Sequence, residues 1–240
     1  MDLIKENINN LTSLWGLAGK ANGVFFSDED YAISTVVESA WPNKLWFHRP
    51  LSKTLLENIL NNWNINDITI PIWQKDIPEQ LIESLGFTLK NELTGMSINL
   101  DLVKDQPHKL FIQKVNDSKS AVLWSSLFYE AFGYYINPRT VELTMHQVDY
   151  LIGYHGPKSI GTAVLYRDAP QIAGVHSMGV VPEHRKNGYA SDLLNQVLSL
   201  AKQQGVTNVS LQASSMGKGL YLKTGFQEDF QIKNFVKLKN

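Results

Sequence analysis

Cysteine is missing altogether from the 240-residue sequence. Disulfide frameworks, thiolate zinc sites and a cysteine nucleophile are excluded with it, and a reducing cytoplasm suits such a chain. An excess of either charge sign is also missing: 22 basic residues stand against 23 acidic ones without a long like-charge block. The electrostatic footprint of a nucleic-acid or anionic-membrane binder is therefore lacking. No run approaches the ~18 apolar residues of a membrane span, and "MDLIKENINN" has no apolar signal-type region behind a basic start. The histidines at 48, 108, 146, 155, 176 and 184 show no ligand spacing, so no metal is expected. These absences imply a soluble, unprocessed, cytoplasmic protein with a small-molecule or peptide partner.

What is present is a well-supplied core, with 43% apolar and 10% aromatic residues. Residues 1–20 read as a helix whose buried face runs through Leu3, Ile4, Ile8, Leu11, Leu14 and Trp15. "YAISTVV" (31–37), "DITIPIW" and "MSINL" read as strands, and "LSKTLLENILNNW" (51–63) and "IPEQLIESLGF" as helices, the second with Pro78 near its start and Gly86 past its end. The polar "DLVKDQPH" (101–108) is the best linker. Beyond it come a strand at "KLFIQKV", helices at "SKSAVLWSSLFYEAFGYY" and "NPRTVELTMHQV", three successive strands, a helix over about 188–204, the strand "VTNVSLQA", a short helix near 217–224 and a last strand to 238.

The chain also repeats itself. "QLIESLGFTLKNE" (80–92) lines up with "GLYLKTGFQEDFQ" (219–231), and each follows a strand and a longer Leu-Leu helix. Two copies of one α/β unit are expected, 1–105 and 106–240.

One stretch carries chemistry. In "VVPEHRKNGYASDLL" (180–194), Pro182 discourages continuation of the preceding strand, and Leu193, Leu194, Val197, Leu198 and Ala201 mark the buried face of the helix that follows. A strand-to-helix turn exposes the unpaired N–H groups of the first helical turn, where the helix dipole adds positive charge. Gly188 has no Cβ to block a ligand, Ala190 keeps the approach shallow, and Arg185 either adds a cation or braces the loop. A diphosphate fits such a turn.

"RKNGYA", Arg185 to Ala190, resembles the Arg/Gln-x-x-Gly-x-Gly/Ala signature of the GCN5-related N-acetyltransferase (GNAT) superfamily, and "LYLKTGF" (220–226) resembles its Leu-Tyr-x-x-x-Gly-Phe segment. The resemblance covers about 109–240. It implies a mixed, mostly antiparallel sheet flanked by helices, and acetyl-coenzyme A as cosubstrate. It implies that Arg185, Lys186, Asn187, Gly188, Tyr189, Ala190 and Ser191 hold the pyrophosphate. By the same resemblance, Met178, Gly179 and Val180 pair with the pantetheine arm where two parallel strands splay, and Tyr221 protonates the departing thiolate. A phenol of pKa ~10 stays neutral at pH 7 and can do so.

Departures from the pattern shape the mechanism. The family's frequent glutamate base falls at Gly174, leaving His176, two residues on and on the same strand face, as the candidate proton relay. Ser214 stands where many relatives have asparagine. In the first half "FHRPLSKTLLENIL" replaces the anion loop, with Pro50 removing a donor, and Ile82 takes the place of Tyr221; that copy should not bind coenzyme A and is structural or shapes the acceptor cleft. Trp124, Phe128 and Phe132 recur at helical spacing as core, the Tyr134 and Tyr135 pair suits a cleft wall, and Glu130 and Glu142 read as a solvated face before they read as a lure for a cationic amine. The expected reaction is direct acetyl transfer to the primary amine of a small molecule or peptide; the alternative is a non-catalytic acyl-coenzyme A sensor. Neither the acceptor's identity nor the oligomeric state is written in the sequence.

Overall fold

The computed structural model describes residues 1–63, 67–73, 79–103, 106 and 108–237. The first half runs α1 (Leu3–Asn22), β1 (Gly23–Ser27), β2 (Tyr31–Val36), β3 (Lys44–Phe47), α2 (Lys53–Asn62), β4 (Thr69–Ile72), α3 (Glu79–Ser84) and β5 (Phe87–Asn99). The second runs β6 (Phe111–Lys114), α4 (Ser118–Phe132), α5 (Pro138–Thr144), β7 (Asp149–His155), β8 (Lys158–Ala169), β9 (Ile172–Val180), α6 (Tyr189–Gln203), β10 (Asn208–Ala213), α7 (Ser215–Thr224) and β11 (Gln227–Lys237). Pro78 and part of the expected linker, residues 104, 105 and 107, lie outside the described residues.

All described strands join one mixed sheet in the order β1-β2-β3-β4-β11-β5-β10-β9-β8-β7-β6. Its described pairs are antiparallel except β3/β4 and β9/β10. Side chains alternate across it, as a period of two requires. On β8, Ala163 and Leu165 pack under α6 and Val164 packs under α4. Helices α2, α3, α6 and α7 cover one face, and α1, α4 and α5 the other.

The centre of the sheet is an exchange. Strand β5 lies between β10 and β11, and β11 lies between β4 and β5, so each half places its last strand beside the other. Ile232 faces Leu93 at the crossover, with Gln231 opposite Thr94 and Lys233 opposite Glu92. Gly86 and Gly225 both adopt positive φ, 85° and 105°, ending α3 and α7 before the exchanged strands. One sequence offset carries Gly86 onto Gly225 and Leu93 onto Ile232, so a pseudo-two-fold axis passes through the Leu93/Ile232 pair. The sheet is continuous where the sequence reading placed a boundary between two units.

Two strands escaped the sequence reading, β1 and β3. Strand β1 is an exposed edge without core alternation, and β3 has four residues directly after Pro42 and Asn43. Helix α1 buries Leu11, Leu14 and Trp15 as its apolar stripe suggested, but at its N-terminal end the buried residues are Asn7 and Asn10 while Ile4 is 42% exposed. Those two asparagines bring α1 into the site of the second half.

Candidate active site

Strands β9 and β10 run side by side from Ile172/Asn208 to Val175/Leu211 and then part. Beyond that point β10 continues against β5, with Gln212 opposite Gly95 and Ala213 opposite Thr94, while β9 continues against β8. A bulge at Ser177, whose φ is 48°, interrupts the β8/β9 register between Thr162 and Val164. Thr162 holds it by donating its hydroxyl to the Ser177 carbonyl at 3.0 Å. Val181 donates to Ile160, so strand alternation turns the Val180 N–H and carbonyl away from β8 and toward the gap. Gly179 is glycine for a steric reason, since a Cβ there would lie 2.7 Å from the Phe132 ring.

At the end of β9 a short 3-10 turn, Pro182–His184, leads into α6. Lys186 and Gly188 take positive φ, 65° and 81°, and Gly188 caps the helix without any side-chain acceptor. The first N–H groups tied within the helix start are those of Ser191 and Asp192, both bonded to the Gly188 carbonyl. Among the described residues nothing accepts from the N–H groups of Lys186, Asn187, Gly188, Tyr189 or Ala190. A Cβ on Gly188 would meet no atom within 4 Å, so the glycine keeps open space. Five consecutive free donors at a helix N-terminus form an anion cradle.

Arg185 braces this loop. Its Nε donates to the Val180 carbonyl at 3.0 Å and its guanidinium to the Ala131 carbonyl at 2.7 Å, tying the turn to the end of α4. The Asn187 amide donates to the His184 and Arg185 carbonyls, each at 3.2 Å. Tyr189 is half-buried, its ring 5.0 Å from that of His155.

The corresponding turn of the first half is closed. Helix α2 is capped by the Ser52 hydroxyl, which accepts from the Leu55 N–H at 3.2 Å, and Pro50 has no N–H. The contrast between Gly188 and Ser52 separates a turn that offers its donors from one that has used them.

Tyr221 on α7 is 9% exposed at the floor of the splay, and burial pushes its phenol up to about 12. Ser214 lines the same space, with its hydroxyl accepting from the Gly217 N–H at 3.3 Å to cap α7. His176 is buried, and desolvation holds its imidazole down at about 4 against a smaller opposing effect from Gln212. It is neutral, and its Nε2 lies 2.9 Å from Asn10 Oδ1. The Asn10 amide nitrogen donates to the Tyr166 carbonyl and to Asp168, so Oδ1 is its acceptor and the His176 Nε2 carries the hydrogen. Asn10 also fills the position where the resemblance puts a carboxylate: a Cβ on Gly174 would collide with Asn10 Oδ1 and His176 Nε2.

These elements enclose a cleft of about 550 Å³. The second half contributes Val175 to Met178, Gln212, Ser214 and Tyr221; Leu11, Trp15, Trp41, Lys44, Lys90 and Asn91 come from the first. Phe132 and Tyr134 line it, whereas Tyr135 uses its carbonyl to accept from the Ala40 N–H at 2.9 Å. Trp124 and Phe128 are core. Glu142 is paired with Arg139 and Ser118 at the surface, and neither it nor Glu130 reaches the cleft. No carboxylate lines the cleft among the described residues. The sequence allows the first half a part in shaping the cleft, but Asn7, Asn10 and Lys44, polar residues without a local motif, are singled out only by the fold.

Residues 116–226 match the model of the Acetyltransferase (GNAT) family, so the second half of this chain is similar to that family of acetyltransferases. No curated protein matches the chain in sequence. Among solved structures, a GCN5-related N-acetyltransferase from Kribbella flavida is 13% identical, with TM-score 0.73 over 98% of this chain and 96% of its own. A putative GNAT-family acetyltransferase from Novosphingobium aromaticivorans is 14% identical, with TM-score 0.61 over 96% and 97%. A tandem GNAT protein from the clavulanic acid biosynthesis pathway is 11% identical, with TM-score 0.57 over 96% and 94%. At these identities the likeness is one of fold, and it extends over both halves. No described helix is long and apolar enough to cross a membrane, and no described group of His, Asp and Glu side chains is arranged to hold a metal.

Proposed function

We propose that this chain transfers acetyl from acetyl-coenzyme A to a primary amine by direct attack, with the chemistry confined to the second half. The observation that carries this reading is the run of five unpaired N–H groups from Lys186 to Ala190, opening beside a strand splay that leads to Tyr221. The coenzyme, when bound, supplies an acetyl group activated as a thioester. The loop amides hold its diphosphate, Arg185 keeps the loop in shape, and the backbone of Met178 to Val180 orients the pantetheine arm. Tyr221 Oη gives its proton to the leaving sulfur; a phenol raised to about 12 is neutral across the working range and still donates to a developing thiolate. Ser214 borders this path without a role in proton transfer, and the Ser191 N–H, bonded to the Gly188 carbonyl, is not one of the free donors.

His176 is reassigned in this scheme. With a pKa of about 4 and its Nε2 hydrogen committed to Asn10, it is a poor proton acceptor at neutral pH and acts as a fixed wall of the acceptor pocket. Deprotonation of the amine is assisted instead by the local field, since two lysines and no described carboxylate favour the neutral form of a nearby amine. We assign residues 1–105 to a degenerate copy that shapes the acceptor cleft and residues 106–240 to the catalytic copy, the two exchanging β5 and β11. The absence of cysteine suits a cytoplasmic location.

Calorimetric titration with acetyl-coenzyme A, followed by thiol release over a panel of amines, tests the reading. Saturable binding with release on at least one amine is the expected result. The filling of the Gly174 position by Asn10 favours a second reading, an acyl-coenzyme A sensor, for which binding is retained and no amine elicits thiol release.

A further inference from the structure

The cleft is sited on the pseudo-two-fold axis, because Leu93 and Ile232, the residues through which the axis passes, both line it. Ladder register then identifies what the first half places opposite the catalytic copy. Gly174 pairs with Ser210 across β9/β10, and Lys44 pairs with Thr69 across β3/β4. Ser210 faces Ser97 and Thr69 faces Val236, and Ser97 and Val236 are related by the same offset as Gly86 and Gly225, so Thr69 is the counterpart of Ser210. Lys44 is thus the first-half counterpart of Gly174, a cation across the pseudo-axis from the position where the family's carboxylate is missing.

Lys44 makes no ion pair among the described residues; its ammonium lies 5.6 Å from the centre of the Trp15 ring. Burial first, and then repulsion from Lys90, lower its pKa to about 7. An unpaired, partly desolvated ammonium beside a second one is unfavourable, and one aromatic face recovers only part of the lost hydration. Between them Asn234 donates to Asn91 Oδ1 at 2.8 Å, leaving the Asn91 amide nitrogen as a further donor at the cleft floor. Two cations and an amide donor without a described acidic partner are the complement of an oxyanion. Trp15, Trp41, Phe132 and Leu93 supply an apolar wall beside them.

We propose that the acceptor is an amine that also bears a carboxylate, the carboxylate seated between Lys44 and Lys90 and an apolar body packed on Trp15 and Trp41. The first half has therefore become the specificity element for the second. This assignment rests on the acetyltransferase reading for its meaning, but its test does not require turnover.

The probes are N-acetyl-L-phenylalanine, its carboxamide and N-acetylglucosamine 6-phosphate, titrated calorimetrically against the full chain without coenzyme. The carboxylate should bind at least about tenfold more tightly than the carboxamide, a charge-assisted difference. Lys44→Met and Lys90→Glu should each reduce that ratio to about threefold or less. Lys90 is exposed, so its variant folds even if the Lys44 variant does not. Equal affinity for acid and amide, no saturable binding of the acid, or tighter binding of the phosphate would each overturn the assignment. Failure of the acetyltransferase reading registers separately, as absent heat with acetyl-coenzyme A or as heat without thiol release on any amine.

Discussion

Asn10 and His176, separated by 166 positions in the chain, meet at 2.9 Å and together occupy the space above Gly174. The relationship fixes the imidazole tautomer and joins α1 of the first half to β9 of the second. Asn10→Ala leaves the buried Nε2 hydrogen unpaired and should cost about 1–3 kcal/mol in denaturant unfolding. Gly174→Ala should cost a similar amount, about 1–3 kcal/mol, by overpacking against Asn10.

The buried imidazole also sets a pH dependence of stability. His176 titrates at about 4 in the folded chain and ~6.5 when unfolded, so below pH ~6.5 the unfolded state takes up the proton first. Its contribution is complete above pH ~6.5 and is lost as pH falls toward about 4, at most about 3 kcal/mol in total. Unfolding free energies measured from pH 7 to pH 4.5 should fall less steeply for His176→Gln than for the natural protein.

Kinetics separate the two residues the sequence nominated for proton transfer. Tyr221→Phe should lower kcat by about a hundredfold or more, the range of a lost general acid, with little change in acetyl-coenzyme A affinity. His176→Gln should lower kcat by less than about tenfold, since the residue only walls the pocket. The comparison is made by steady-state thiol release with the best acceptor found.

How much of this was legible in the sequence depended on whether the determining contacts were local. The α6 turn was readable because Pro182, Gly188 and the Leu193 to Ala201 stripe lie within one short stretch and each acts on its own backbone. Gly86 and Gly225 announced matching helix ends for the same reason. The exchange of β5 and β11 was not readable, because strand pairing across half the chain leaves no local mark and either order satisfies the same alternation. Asn7 and Asn10 were hidden in a helix whose apolar stripe marks Leu11, Leu14 and Trp15 but gives no reason to bury an amide. Lys44 carried no signal at all until the fold placed it beside Lys90 in the cleft that Tyr221 also lines.

Arg185 joins two carbonyls from two elements, and its planar fork is what spans them. Arg185→Lys keeps the charge and loses the span. It should raise the acetyl-coenzyme A Kd about tenfold, by loosening the loop, and leave kcat at saturation close to the natural value. Calorimetry and saturation kinetics on the same preparation check both halves of the statement.

The most direct measurement is a crystal structure of the chain with acetyl-coenzyme A. The account predicts diphosphate oxygens within ordinary hydrogen-bond distance of N–H groups between Lys186 and Ala190, and the thioester sulfur beside Tyr221 Oη. A complex in which those N–H groups donate to protein carbonyls while the coenzyme lies elsewhere would contradict it.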